Sequence, residues 1–237
     1  DMEGVPPVET TGQVRWFKRP TPGHTYLTSL DPSMGTGGDY AAIQVFELPT
    51  FEQVGEWHHN MTPMNQQVRI LQGINKHIHD SIIEKDASAS PQIFYSMENN
   101  TIGEAALMRV MDIGEENIMG MFLSEPIRKG HRRKFRRGFN TTAKHKIDAC
   151  TKFKELVEGG KMKINSQLLI SEMKDFVATG LSYKAKPGQH DDLVSSCLLM
   201  TRMMKVLADF DPKIFEKWTD RSSEMTTPMP IFGNFYG

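Results

Sequence analysis

Cysteine is nearly absent from this 237-residue chain: only Cys150 and Cys197 occur, with no C-x-x-C spacing. That excludes a Cys-ligated zinc site and a disulfide framework, and it fits a reducing compartment. Long apolar runs are missing as well. The longest candidate, residues 193–207, is interrupted by Ser195, Ser196, Thr201, Arg202 and Lys205, short of the ~20 apolar residues that a membrane span needs. No signal peptide and no membrane partner are therefore expected. The glycine-rich stretch SMGTGGDY lacks the G-x-x-x-x-G-K-[ST] pattern, and no Lys or Arg lies between Arg19 and Arg69. An ATPase phosphate loop is excluded there. Its glycines are better explained by a tight turn that lets backbone approach a neighbour closely.

What is present is an ordinary globular composition, 38% hydrophobic and 24% charged. A chain of this size buries roughly 70% of its unfolded surface, enough for a core without staples. The overall charge is −1, but it is segregated. The stretch RKGHRRKFRRGFNTTAKHKI, residues 128–147, holds nine Lys/Arg and no Asp or Glu. Arg128, Lys129, Arg132, Arg133, Lys134, Arg136, Arg137, Lys144 and Lys146 form a candidate polyanion-binding patch, acting by counterion release with salt-sensitive affinity. The competing reading is a solvated loop.

Residues 1–23, rich in Pro and Gly, read as an N-terminal arm or linker. A domain is expected over 24–210, with a tail over 211–237 that lacks its own core. Apolar, β-prone runs predict strands at Tyr26–Leu30, Tyr40–Leu48 and Phe51–His59. Val68, Leu71, Ile74, Ile78 and Ile82 recur at helical spacing and predict a helix over about 63–83. QIFYSM reads as a fourth strand, followed by a helix from Gly103 and a short strand over 118–123. Thr142 is a plausible N-cap for a helix that Gly159 and Gly160 end. A brief strand at 162–164, a short helix at 167–174 and an alternating strand at 176–183 precede a last helix opened by HDDLV. This order predicts an α/β domain with a mixed sheet flanked by helices.

Three acidic positions stand at the edges of these elements: Asp31 ends the first strand, Glu98 ends the fourth, and Asp191 with Asp192 opens the last helix. If the first and fourth strands are parallel neighbours, Asp31 and Glu98 meet at their carboxyl ends, where open α/β sheets bind ligands. Acids gathered without Lys or Arg between them repel unless a hard divalent cation, Mg2+ or Mn2+, neutralises them. Two such ions can activate water and stabilise the leaving oxygen of a phosphodiester. Asp39 either adds a further metal-binding carboxylate or is a turn residue. Asp191 and Asp192 are also what a helix N-terminus favours on electrostatic grounds alone. His190 either orients a proton or caps the helix.

Taken in order, YLTSLDPSMGTGGDYAAIQVFE, IFYSMENNTIGEAAL, GFNTTAKHKIDACTKFKELVEGGKMKI and GQHDDLVSSCLLM resemble the nuclease domain of the large terminase subunit of tailed bacteriophages, over about residues 24–209. The resemblance implies a ribonuclease H-like fold and a metal-dependent endonuclease that cuts concatemeric viral DNA during genome packaging. It places catalytic and metal-binding roles on Asp31, Glu98, Asp191 and Asp192, without deciding which Asp of the pair is the principal ligand. It further implies double-stranded DNA as substrate, an upstream ATPase domain, portal protein and small terminase subunit as partners, and the cytoplasm of an infected bacterium as location. Alternatives are another ribonuclease H-like nuclease, such as a junction resolvase, and a non-catalytic DNA- or portal-docking module.

Overall fold

The structure, a computed structural model, describes residues 2–126, 137–179 and 182–210. The tail expected over 211–237 lies outside them. The elements run β1 (Glu9–Thr11), β2 (Val14–Trp16), β3 (Thr25–Asp31), β4 (Ala41–Leu48), β5 (Glu52–His59), α1 (Met64–Lys85), β6 (Gln92–Met97), α2 (Thr101–Ile113), β7 (Met121–Phe122), α3 (Ala143–Glu158), α4 (Gln167–Asp175), β8 (Phe176–Thr179), β9 (Ser182–Ala185) and α5 (Asp192–Phe210). β1 to β7 form one seven-stranded sheet in the order β1-β2-β5-β4-β3-β6-β7. β3, β4 and β5 are an antiparallel meander, and β6 adds to β3 in parallel, as does β7 to β6.

Alternation along the strands divides the core between the two faces of this mixed sheet. Tyr26, Leu30, Ile43 and Val45 pack under α1 and α2, whereas Leu27, Ala42 and Phe46 pack under α3, α4 and α5. The 3.6-residue stripe of α1, Val68, Leu71, Ile74, Ile78 and Ile82, is buried as its spacing predicts. α3 begins where Thr142 Oγ1 accepts the His145 N–H and ends at Gly159. Among the described residues, no helix is long and apolar enough to cross a membrane.

Three sequence readings change locally. Residues 9–16, inside the stretch read as arm or linker, form a hairpin whose β2 pairs with β5. Trp16 anchors it, fully buried and stacked on His77 at 4.4 Å between ring centroids. A Cβ at Gly55 would lie 2.9 Å from the Trp16 ring, so the glycine admits the indole. The strand expected over 176–183 is a two-stranded antiparallel unit, β8 with β9, apart from the main sheet. The strand expected at 162–164 is reduced to a single bridge between Lys163 and Glu52.

Candidate active site

β3 and β6 run in parallel with Leu30 opposite Met97, so the next residue of each strand, Asp31 and Glu98, emerges at the carboxyl edge on the α5 face. The Glu98 N–H donates to Leu30 O at 3.2 Å, which extends the ladder to the acid itself. The Asp31 and Glu98 carboxyls are close enough to hydrogen-bond to each other. Burial, then the charge of Glu98, then those of Asp192 and Asp191 push the Asp31 carboxyl well above the usual carboxylate range. Among the described residues, no Lys, Arg or His forms an ion pair with Asp31 or Glu98.

The glycine turn is fixed from α1. Gln67 Nε2 donates to Ser33 O and Thr62 O, and its Oε1 accepts the Ser33 N–H. Gly35, at φ +68°, lies so near Thr62 O that any Cβ would collide with it. The turn returns the chain at Asp39 and Tyr40 beside the start of α5. There the Asp192 carboxylate accepts the Tyr40 N–H and feels the charge of exposed Asp39. Burial, followed by the charge of Asp191, raises Asp192 to about 6.

The two acids of the pair face different surroundings. Asp191 Oδ2 accepts the Ala185 N–H at 3.2 Å and stands 3.9 Å from Lys146 Nζ, whereas Asp192 Oδ2 stands 3.6 Å from His190 Nδ1. Asp192 raises Asp31 more than Asp191 does. Asp31 thus feels the charge of Glu98 first and then that of the Asp191–Asp192 pair. Among the described residues, no three His, Cys, Asp or Glu side chains converge closely enough to hold one ion. The acids in contact with each other are Asp31 and Glu98.

A cleft of about 120 Å³ opens over that pair, walled by His145, Lys146 and Ala149 of α3 and by Ser195, Leu199 and Arg202 of α5. A larger groove of about 710 Å³ between α1 and α2, bordered by Arg69, Lys76 and Arg109, contains none of the acids expected from sequence. Of the basic residues expected to bind, Arg128, Lys129, Arg132, Arg133, Lys134 and Arg136 lie outside the described residues. Arg137 is ion-paired with Glu115 and lies over the Phe122 ring. Lys144 is exposed at the start of α3, and Lys146 lies over the Phe176 ring at the cleft wall.

Two groups escape a reading of the sequence. Arg202 sits mid-helix in an apolar run and nothing in its spacing points to the cleft. Glu172, on α4, accepts the N–H groups of Leu193 and Val194 through Oε2, at 2.9 and 3.1 Å, and so caps α5 from another helix. Its carboxyl is pushed up to about 8, burial outweighing those two donors.

A family model for the terminase RNaseH-like domain matches residues 28–203. Among solved structures, the large terminase nuclease from thermophilic phage G20c with bound magnesium superposes with a TM-score of 0.61 at 18% identity, covering 84% of this chain and 92% of that one. The Thermus phage P74-26 large terminase nuclease domain gives 0.58 at 18%, covering 83% and 88%. The human cytomegalovirus terminase nuclease domain, soaked with manganese and bound to an inhibitor, gives 0.50 at 14%, covering 75% and 81%. At these identities the superpositions speak for the fold, and the family match extends over most of the chain. With its mixed seven-stranded sheet and acid-lined carboxyl edge, the chain belongs to the terminase RNaseH-like nuclease domain family.

Proposed function

We propose that this domain is a divalent-metal-dependent endodeoxyribonuclease that cuts concatemeric viral DNA during genome packaging. The observation that carries the reading is the Asp31–Glu98 contact: two carboxyls within hydrogen-bonding reach, at the ends of parallel strands, with no ion-paired cation among the described residues. Such a pair is electrostatically unfavourable by itself and chemically suited to Mg2+ or Mn2+, which take oxygen ligands. The related G20c large terminase nuclease holds bound magnesium, and the cytomegalovirus terminase nuclease domain was soaked with manganese.

In this reading Asp31 and Glu98 hold the metal, Asp192 and Asp191 add charge from the start of α5, and Asp39 borders the site from the glycine turn. Asp192 is the better principal ligand of the pair, because its charge acts on Asp31 more strongly than that of Asp191, which lies toward Lys146. When bound, divalent ions supply an activated water and stabilise the leaving oxygen of the phosphodiester. The chain's own contribution is positioning. β3 and β6 set the spacing of two acids, Gln67 and Gly35 hold the turn that brings Asp39 and Tyr40 to α5, and Lys146 offers an ammonium to a phosphate at the cleft wall. Lys144 and the basic residues 128–137 provide contacts that position a duplex without reading its bases. Portal protein, small terminase subunit and an ATPase domain are the partners that packaging calls for.

Incubation with supercoiled plasmid tests the reading. Nicked and linear products with Mg2+ or Mn2+, and none in EDTA, support it; metal-independent binding without cleavage favours a docking module. Preference for four-way junctions over plain duplex favours a resolvase.

A further inference from the structure

A polar cluster at the wall of the cleft is built around Arg202. Its side chain is only 12% exposed. The guanidinium is ion-paired through Nη2 with Glu125 Oε1, donates from Nη2 to Asn140 O at 3.0 Å and from Nη1 to Thr141 Oγ1 at 3.0 Å, and lies 5.2 Å from the centre of the Phe139 ring. Glu125 Oε2 in turn accepts the Asn140 N–H at 3.2 Å, and Asn140 O is 2.8 Å from His145 Nδ1. Three of its N–H groups are thus committed to acceptors of the protein, and the rigid fork fixes the elements it joins.

Those elements lead directly to Glu98. Residues 138–140 lie alongside the end of β6: the Phe139 N–H donates to Met97 O at 3.2 Å, and Phe139 O accepts the Asn99 N–H at 2.7 Å. Phe139 thus pairs with Glu98 in a parallel bridge. Gly138, at φ +78°, allows this approach, since a Cβ there would lie 2.8 Å from Met97 O. The chain before residue 127 is tied to the same place, because the Glu125 N–H donates to Gly138 O and the Gly138 N–H donates to Ser124 Oγ.

We infer that Arg202 is a positioning residue: acting with Glu125, it clamps residues 138–141 against α5 and so fixes the end of β6 that presents Glu98 to the cleft. The inference rests on the nuclease reading for its effect on cleavage, but the clamp is itself measurable without cleavage. Arg202 and Glu125 act as one unit, so removing either loses the same arrangement.

The test uses the whole chain carrying Arg202→Met, Glu125→Gln, or both, with Glu125→Gln as the milder change. Amide hydrogen exchange at Asn99, Phe139 and Asn140 should accelerate in each variant, while amides in the middle of β3 and β4 keep their protection. Plasmid nicking should lose about 10- to 100-fold in kcat with KM for DNA unchanged, and the double variant should be no worse than the poorer single one. Unchanged exchange at the three amides overturns the clamp. A defect confined to KM, with a shallower salt dependence, also overturns it and makes Arg202 a DNA contact. Additive losses in the double variant show that the two residues act separately, against the inference. If the wild-type domain nicks with neither metal, the nuclease reading fails, and the exchange comparison still decides the clamp.

Discussion

Ser29 of β3 and Ser196 of α5 hydrogen-bond to each other's main chain: Ser29 Oγ donates to Ser196 O at 2.9 Å, and Ser196 Oγ donates to Ser29 O at 3.1 Å. Both residues are fully buried. The contact lies two residues before Asp31 and one helical turn after Asp192, so it sets how α5 seats on the strand that carries the first acid. Only a small side chain fits such an approach while satisfying both carbonyls. Ser29→Val should cost about 1–3 kcal/mol by overpacking and reduce nicking more than Ser29→Ala does. Denaturant titration and plasmid cleavage check this. Wild-type stability and cleavage in Ser29→Val would show that the seat is not critical.

A pH dependence follows from Glu172. Its folded value of about 8 lies above its ordinary value of 4.5, so the folded state holds a proton that the unfolded state releases first. Its contribution to stability is thus complete below pH 4.5 and is lost as pH rises to 8. His58, buried and held neutral with a value lowered to about 4, acts in the opposite sense between pH 4 and 6.5. From pH 6.5 to 8 His58 no longer opposes it, while the raised Asp31 carboxyl acts in the same sense as Glu172, so the comparison with a Glu172 variant isolates its share. In EDTA, the wild-type unfolding midpoint should fall across that window, and Glu172→Gln, neutral at every pH, should flatten the fall. Parallel slopes for the two proteins would contradict the assignment.

Lys144 and Lys146 are expected to meet phosphate and not bases. Replacing both by Gln should weaken binding to unrelated duplexes alike, and each lost contact should reduce the slope of log affinity against log salt by about 0.9. Equilibrium binding over a salt series in EDTA measures this directly. An unchanged slope would assign both cations to the domain surface alone, Lys146 to Phe176 and Asp191.

The meander, α1, the Thr142-capped helix and the acids Asp31 and Glu98 at strand ends were legible because each rests on local pattern: alternation, 3.6-residue spacing, a cap, or an acid ending an apolar run. The parallel pairing of β3 with β6 that brings the two acids together was legible only as a condition. The hairpin over residues 9–16 was not. ETT and VRW are short and bordered by Gly and Pro, and only the burial of Trp16 against Gly55 and His77, contributed by distant segments, makes them strands. Glu172 and Arg202 were illegible for a related reason. Each is one charged residue in an amphipathic helix, and its role lies in main-chain groups supplied by another part of the chain. Local patterns find elements and the acids at their ends, whereas cross-chain caps and clamps depend on tertiary geometry.

Metal-dependent plasmid nicking by Asp31→Asn and Glu98→Gln, with folding checked by circular dichroism, tests the central claim most directly. Each change removes a carboxylate at nearly constant volume and should cost several kcal/mol of transition-state stabilisation, on the order of a 100-fold or greater loss of nicking. Asp191→Asn and Asp192→Asn should also lower activity, with the larger loss at Asp192. Folded Asp31→Asn and Glu98→Gln proteins that nick at the wild-type rate in Mg2+ and Mn2+ would contradict the assignment of this acid pair as the catalytic centre.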